Sequence, residues 1–198
     1  MSNGPKFSAA SCLAVLRELL PDLRPQCAAL QDESMKPAIK CCGSLRRGEA
    51  MAGDIDLVYI SKTGDACPPG ELIPMPGQSL VANAIDQLVL AGVLAYRQKA
   101  DGSLTNGKWI KLCVHVASGI PVDFYAATHF SFWNLVLCRT GSMQNNIRLA
   151  DAAKAKGWKW ATGGQSPGFE DGFKKIQILS EEHAFDLLGL PYLTPQQR

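Results

Sequence analysis

The sequence lacks any apolar run long enough to cross a bilayer, and its amino terminus lacks the basic segment and long apolar stretch of a secretory leader. Both absences point to an intracellular protein, neither secreted nor membrane-bound. No Cys-x-x-Cys pair occurs among the seven cysteines, Cys12, Cys27, Cys41, Cys42, Cys67, Cys113 and Cys138. Several of them fall in apolar strand or helix patterns, which reads as buried thiols in a reducing compartment rather than zinc ligands or disulfides. His115 has no ligand-spaced partner, and packing or hydrogen bonding is the better reading for it and for His129. Charge of either sign is also in short supply. The chain holds 20 Lys and Arg against 18 Asp and Glu, a net charge of +2, so any affinity for a polyanion must rest on local patches. What is abundant is apolar. At 46% hydrophobic and 19% charged, the 198 residues exclude general disorder and can bury a core as one domain or as two small lobes.

The most informative stretch is Gly43-Ser44-Leu45-Arg46-Arg47-Gly48, followed by Gly53-Asp54-Ile55-Asp56-Leu57-Val58-Tyr59-Ile60. Residues two apart on a strand share a face, so Asp54 and Asp56 can point at one site while Ile55, Leu57 and Tyr59 pack the other side. Two such close carboxylates repel unless a cation sits between them, and Mg2+, which prefers carboxylate oxygens and keeps positions for phosphates, suits them. Asp123, alone among apolar neighbours in Ile120-Pro121-Val122-Asp123-Phe124-Tyr125, is the best third acid. A buried lone Asp demands a metal or a basic partner. Upstream, Ile39-Lys40-Cys41-Cys42 reads as a strand broken at Gly43, with Ser44 as N-cap of a short helix carrying Arg46 and Arg47. Backbone amides, a hydroxyl and an arginine together can hold a triphosphate.

This constellation resembles the nucleotidyltransferase superfamily, and specifically the palm and thumb of the family X DNA polymerases. The family pattern Gly-Ser-x-Arg-Arg-Gly, a short insert, then Gly-Asp-x-Asp is met from Gly43 through Asp56. The resemblance implies that Asp54, Asp56 and Asp123 are the catalytic, metal-binding acids for two Mg2+ ions, with Mn2+ able to substitute. It implies that Gly43, Ser44, Arg47 and Gly53 bind the nucleotide's phosphates. Arg139-Thr140-Gly141-Ser142 is similar to the family's Thr-Gly-Ser at the palm-to-thumb junction, which adds Thr140, Gly141 and Ser142 to the nucleotide site. Gln144 is placed near the incoming base, and Arg148 resembles an arginine that faces the template. The tail Leu179-Ser180-Glu181-Glu182-His183 through Leu188-Gly189-Leu190-Pro191-Tyr192 is similar to the end of the family thumb. The implied fold is α+β: a nucleotidyltransferase palm, a mixed sheet flanked by helices, over residues 1–139, then a small α/β thumb over residues 140–198.

Departures from the family shape the functional expectation. Only 38 residues precede Ile39, which leads to the expectation that the lyase and fingers regions are absent and that duplex grip comes from palm, thumb or an accessory DNA-binding protein. Cys138 and Arg139 replace the family's aromatic pair, so ribonucleotides are expected to be excluded poorly. Pro121 stands near the place of a basic residue that contacts the primer backbone. The leading expectation is a monomeric DNA-directed DNA polymerase of reduced family X type. It takes dNTP or NTP, extends a primer 3′-hydroxyl on primer-template or gapped DNA, and releases pyrophosphate. The alternatives are a template-independent or ribonucleotide-adding terminal transferase, a small-molecule nucleotidyltransferase, and a silent nucleic-acid-binding scaffold.

The remaining elements follow from periodicity. Ser8 to Leu20 reads as a helix with Leu13, Leu16 and Leu20 as its apolar stripe and Pro21 as its stop. Cys67 through Pro76 reads as a loop and Ser79 to Ala91 as a helix. Val93–Gln98 and Trp109–Val116 read as antiparallel strands. Lys108 and Lys111, beside the strand before Asp123, are either primer-phosphate ligands or charges on a solvated sheet face. Phe130 to Leu137 and Asn145 to Lys156 read as helices, the second with Ile147 inward and Arg148 outward.

Overall fold

The computed structural model describes residues 4–30, 35–66, 73–98, 101–162 and 167–198. A short strand, β1 (Phe7–Ser8), leads into α1 (Ala9–Leu23), where the Ser8 hydroxyl accepts the Ser11 amide at 3.1 Å. The buried stripe is Cys12, Val15, Leu16, Leu19 and Leu23; of the expected Leu13, Leu16 and Leu20, Leu16 lies in it, Leu20 is partly buried beside it and Leu13 is 45% exposed. Pro21 does not stop the helix. It removes one donor near the end of the helix, and burial of Leu19 and Leu23 against the sheet carries the turn past it.

Next come β2 (Ile39–Cys41), α2 (Gly43–Arg46), β3 (Met51–Ala52) and β4 (Ile55–Tyr59). They are followed by β5 (Thr63–Ala66), β6 (Met75–Ser79), α3 (Leu80–Leu90), β7 (Leu94–Tyr96), β8 (Ile110–His115) and β9 (Pro121–Ala126). Among the described residues the main sheet runs β2-β4-β9-β8-β7, with β4 and β9 parallel and the other neighbours antiparallel. The sheet is mixed and covered on both faces. Ile55, Leu57, Tyr59, Val122 and Phe124 share a core with α1 and α3. Val58, Ile60 and Tyr125 face the other way, onto α4 (Phe132–Thr140). The period-2 alternation along β4 sends Asp56 and Val58 to one face and Ile55, Leu57 and Tyr59 to the other. In the expected Cys67–Pro76 loop, residues 67–72 lie outside the described residues, and Met75 and Pro76 already belong to β6, paired with β5.

A third core gathers the carboxy-terminal elements: α5 (Met143–Ala155), β10 (Lys159–Ala161), β11 (Gly168–Asp171), β12 (Lys174–Ile176) and α6 (Glu181–Leu188). Its centre is Leu149, Ala153, Phe169, Ala184, Phe185 and Leu188. Helix α4 belongs to both sides, giving Phe132, Leu135 and Val136 to the sheet core and Leu137 to this one. Ser142 and Ser180 cap α5 and α6 through their hydroxyls, and Gly189 closes α6 at φ 69°. Ile147 is 54% exposed, so the inward residues of α5 are Asn145, Leu149 and Ala153 instead. Trp158 and Trp160 both lie about 6 Å from the Phe169 ring and share the same aromatic cluster. No helix among the described residues is long and apolar enough to cross a membrane.

Candidate active site

Asp56 on β4 and Asp123 on β9 are direct neighbours in the parallel register, so their side chains leave the same face of the sheet. Asp54 sits just before β4, and oxygens of all three carboxylates lie within 4.8 Å of one another. Asp123 is buried, 7% exposed. Burial, then the charges of Asp54 and Asp123, push the Asp56 carboxyl up to about 7, against a weaker opposing pull from Arg139 and Tyr125. Burial raises Asp123 too, opposed by Arg97. Three hard oxygen donors that repel one another in a partly desolvated cluster fit a divalent cation such as Mg2+.

Beside them lies the Gly-Ser turn. The Cys42 amide donates to the Asp56 carbonyl at 2.8 Å, which presses the turn against β4. Gly43 has φ +66°, and a Cβ there would collide with Asp56 Oδ2. Glycine is required at this position both by backbone angle and by close approach. Ser44 is not the N-cap; Cys42 holds that position without a side-chain bond, and Ser44 lies inside the first turn of α2. Gly53 falls in the turn between β3 and β4.

The two arginines at the end of α2, Arg46 and its C-cap Arg47, tie this turn to the end of α4. Arg47 Nη1 donates to the Thr140 carbonyl at 2.6 Å and lies against Gly141, while its remaining donors meet Glu49. Arg46 donates to Thr140 Oγ1 at 2.6 Å and makes a two-pronged pair with Glu181 at the start of α6. Arg198 Nη1 completes the cluster on Glu181 at 2.5 Å, stacked over Phe185 and Tyr192. Thr140 and Gly141 are thereby brought to the Gly43-Ser44 turn, and Ser142 follows as the cap of α5. Gln144 and Arg148 stand on the first and second turns of that helix.

Lys111 requires a correction. It pairs in register with Phe124, and so points to the face opposite Asp123. There its ammonium is buried, 2.8 Å from Asp86 Oδ1 and 3.2 Å from the Tyr96 hydroxyl, with Asn106 as a further acceptor. A cation fixed in that way locks α3 to the sheet and has no free donor face for nucleic acid. Lys108 remains exposed, over the Trp109 ring.

Three residues of the site escape the sequence reading of the acids. Arg97, just after β7, pairs with Asp123 Oδ1 at 2.5 Å. The Tyr125 hydroxyl donates to Asp123 Oδ2 at 3.4 Å, and Arg139 stacks on the Tyr125 ring at 3.9 Å. Tyr125 could have been found, because it shares a strand face with Asp123 two residues earlier. Arg97 had no such signal, since its place depends on the register of β7 on β8.

The DNA polymerase beta thumb family matches residues 135–198. DNA polymerase lambda of Arabidopsis thaliana is 26% identical over 172 residues, 81% of this chain and 31% of that protein. DNA polymerase lambda of Rattus norvegicus is 25% identical over 189 residues, 87% of this chain and 31% of that protein. This chain is homologous to the family X DNA polymerases. It spans about a third of the length of the curated relatives it matches. The family X thumb match covers α5, the β10-β11-β12 sheet and α6, and it begins within α4, the helix shared by both cores.

Proposed function

We propose that this chain is a nucleotidyltransferase of family X type that transfers a nucleoside monophosphate from a dNTP to the 3′-hydroxyl of a DNA primer and releases pyrophosphate. The observation that carries this reading is the convergence of Asp54, Asp56 and Asp123 beside a turn that only Gly43 can make. Residues 1–139 act as the palm and residues 140–198 as the thumb. Asp54, Asp56 and Asp123 hold two Mg2+ ions, replaceable by Mn2+, which when bound supply Lewis-acid stabilisation of the attacking and leaving oxygens. Gly43, Ser44 and Gly53 offer backbone amides and a hydroxyl to the phosphates, and Arg47 holds Thr140 and Gly141 against them. Ser142 orients α5 so that Gln144 and Arg148 reach the base and the template strand. Lys108 contacts the primer backbone. The chain works as a monomer on primer-template or gapped DNA, with an accessory DNA-binding protein strengthening the grip.

A second reading, addition of ribonucleotides or template-independent addition, is favoured by one observation. Arg139, not an aromatic ring, stacks on Tyr125 at the edge of the carboxylate cluster. One experiment separates the two. Purified protein with Mg2+ or Mn2+ is offered each dNTP and NTP singly on blunt, single-stranded, recessed and one-nucleotide-gapped DNA. Extension by the complementary dNTP alone supports the first reading. Template-indifferent or ribonucleotide addition supports the second, and failure to extend any end rejects both.

A further inference from the structure

Four residues stand in one row across the main sheet. Asp56 on β4 pairs with Asp123 on β9, Asp123 pairs with Leu112 on β8, and Arg97, just past β7, donates its amide to the Leu112 carbonyl at 2.9 Å. Register therefore sets Asp56, Asp123, Leu112 and Arg97 on the same face, in that order. Arg97 starts two strands from Asp123, a span of about 10 Å, and its long side chain crosses Leu112 to bring Nη2 to Asp123 Oδ1. The two ends of the row differ. At the Asp56 end stands the Gly43 turn, so close that a Cβ on Gly43 would collide with Asp56 Oδ2. At the Asp123 end β8 turns Ile110, Leu112 and Val114 to this face, opposite Tyr125, Asp123 and Pro121, so neither strand brings a cation there. Arg97 supplies it from beyond them. One of its nitrogens serves Asp123, its Nη1 has no partner among the described residues, and its side chain is 32% exposed. A guanidinium has five N–H donors, and a single carboxylate oxygen does not saturate it.

We propose that Arg97 binds the phosphodiester next to the acceptor's 3′-hydroxyl, an inference that rests on the primer strand proposed above. The order of the row decides between the two sources of phosphate. In-line displacement brings the attacking oxygen to phosphorus from the side opposite the departing pyrophosphate. With the triphosphate on the Gly43 turn beside Asp56, the acceptor approaches from the Asp123 end, where Arg97 stands. An acceptor strand carries its last phosphodiester one sugar away from the hydroxyl, and that anion has to come up against three carboxylates. A guanidinium shared between Asp123 and this phosphate offsets the repulsion, and its planar fork fixes how the strand end lies against Asp123. Arg139, the other cation at the cluster, spreads over the Tyr125 ring instead.

The test uses the full chain and a fluorescent primer-template whose last primer linkage is either the natural phosphodiester or an uncharged methylphosphonate, with binding read by anisotropy in Ca2+. In the wild type the uncharged linkage weakens binding by about fivefold or more. Arg97→Gln shows a loss of that size with the natural linkage and no further loss with the methylphosphonate, while a methylphosphonate far upstream weakens the variant and the wild type alike. Arg97→Lys recovers charge without the fork and regains part of the affinity. In primer extension Arg97→Gln raises the primer KM and leaves the dNTP KM unchanged. Losses that add, in place of coinciding at the last linkage, overturn the proposal, because removing the cation would then act only through the net charge of the cluster. A raised dNTP KM with an unchanged primer KM overturns it in favour of the nucleotide's phosphates, and a lowered thermal midpoint with unchanged binding leaves Arg97 as a counter-ion of Asp123 only. The proposed activity fails separately: a linkage-specific loss without any extension by the wild type rejects the polymerase and keeps the Arg97 assignment, whereas extension with additive losses keeps the polymerase and rejects Arg97. A wild type that binds neither primer rejects both.

Discussion

Asp56 and Glu181 are both largely withdrawn from solvent, one on the central sheet and one at the start of the thumb helix α6, and they meet opposite company. Asp56 faces two other carboxylates, and its carboxyl is pushed up to about 7 by burial and then by Asp54 and Asp123. Glu181, 2% exposed, is also pushed up by burial, but hydrogen bonds and charge from Arg46 and then Arg198 hold it below its ordinary value. The protein thus has enough arginine at hand to neutralise an acid, and it does so completely at Glu181. At the triad it supplies Arg97 on one edge and Arg139 on the other and leaves the centre negative. A region that stores repulsion has a place for a cation, whereas a region that discharges it works as a joint.

The largest expected effect comes from breaking the unbalanced region. Asp123→Asn removes one charge and one oxygen donor from the three-acid cluster. Nucleotide addition should fall by about 10²–10³-fold, measured by primer extension under saturating Mg2+, with nucleotide affinity changed far less. Equal turnover in variant and wild type would remove Asp123 from the chemistry.

Breaking the balanced region should cost stability instead. Glu181→Ala leaves Arg46 and Arg198 facing each other without their shared carboxylate, and the Arg198 side chain has no solvent exposure. Truncating one partner of a buried pair costs about 3–5 kcal/mol, read as a shift of the urea midpoint at constant slope. The same change should loosen Thr140 from the Gly43-Ser44 turn, since Arg46 bridges them.

The two carboxylates also predict opposite responses to pH. Asp56 rises from 3.8 to about 7 on folding, so between those values the folded state binds the extra proton. Its contribution favours the fold at low pH and is lost as pH rises through about 7. Glu181 is held below 4.5, so its contribution is present above that value and is lost as pH falls through its lower folded value. Asp56→Asn should therefore raise the thermal midpoint at pH 8, raise it less near pH 5, and leave it little changed below the unfolded value of 3.8, by about 2–4 °C for each kcal/mol of repulsion removed. Saturating Mg2+ should shrink the pH dependence in the wild type, because a cation replaces the proton as the partner of the cluster. A midpoint at pH 8 unmoved by the substitution would mean that the cluster stores no repulsion.

The same contrast explains what could be read from the chain alone. The Asp54 and Asp56 pair and its position after Gly43 are local patterns, and the structure reproduces their placement. Glu181 was legible only as a first-turn acid. Its partners lie 135 residues upstream and 17 downstream, and nothing in the spacing joins them. Arg97 and Tyr125 divide in the same way, one placed by long-range register and the other by alternation along its own strand. On α1 the expected Leu16 is buried, but Leu13 suits the core by residue type alone, whereas Cys12 and Val15 occupy the face that meets the sheet.

The smallest expected effect sharpens the comparison at two lysines three residues apart. Lys111 is discharged like Glu181, buried against Asp86 on the apolar side of the sheet, and Lys108 is exposed and stacked on Trp109. Lys108→Ala should leave the thermal midpoint unchanged and lower the slope of log affinity for DNA against log salt by about one, the signature of a single phosphate contact. Lys111→Ala should do the reverse, leaving the salt slope unchanged and lowering stability, since Asp86 would be left buried beside Tyr96 without its cation. Titrations of both variants against one gapped duplex across a salt series, paired with urea unfolding, measure the two quantities together. If Lys108→Ala left the slope intact, that lysine would be surface charge, and the primer backbone would have to be held by the arginines that edge the acid cluster.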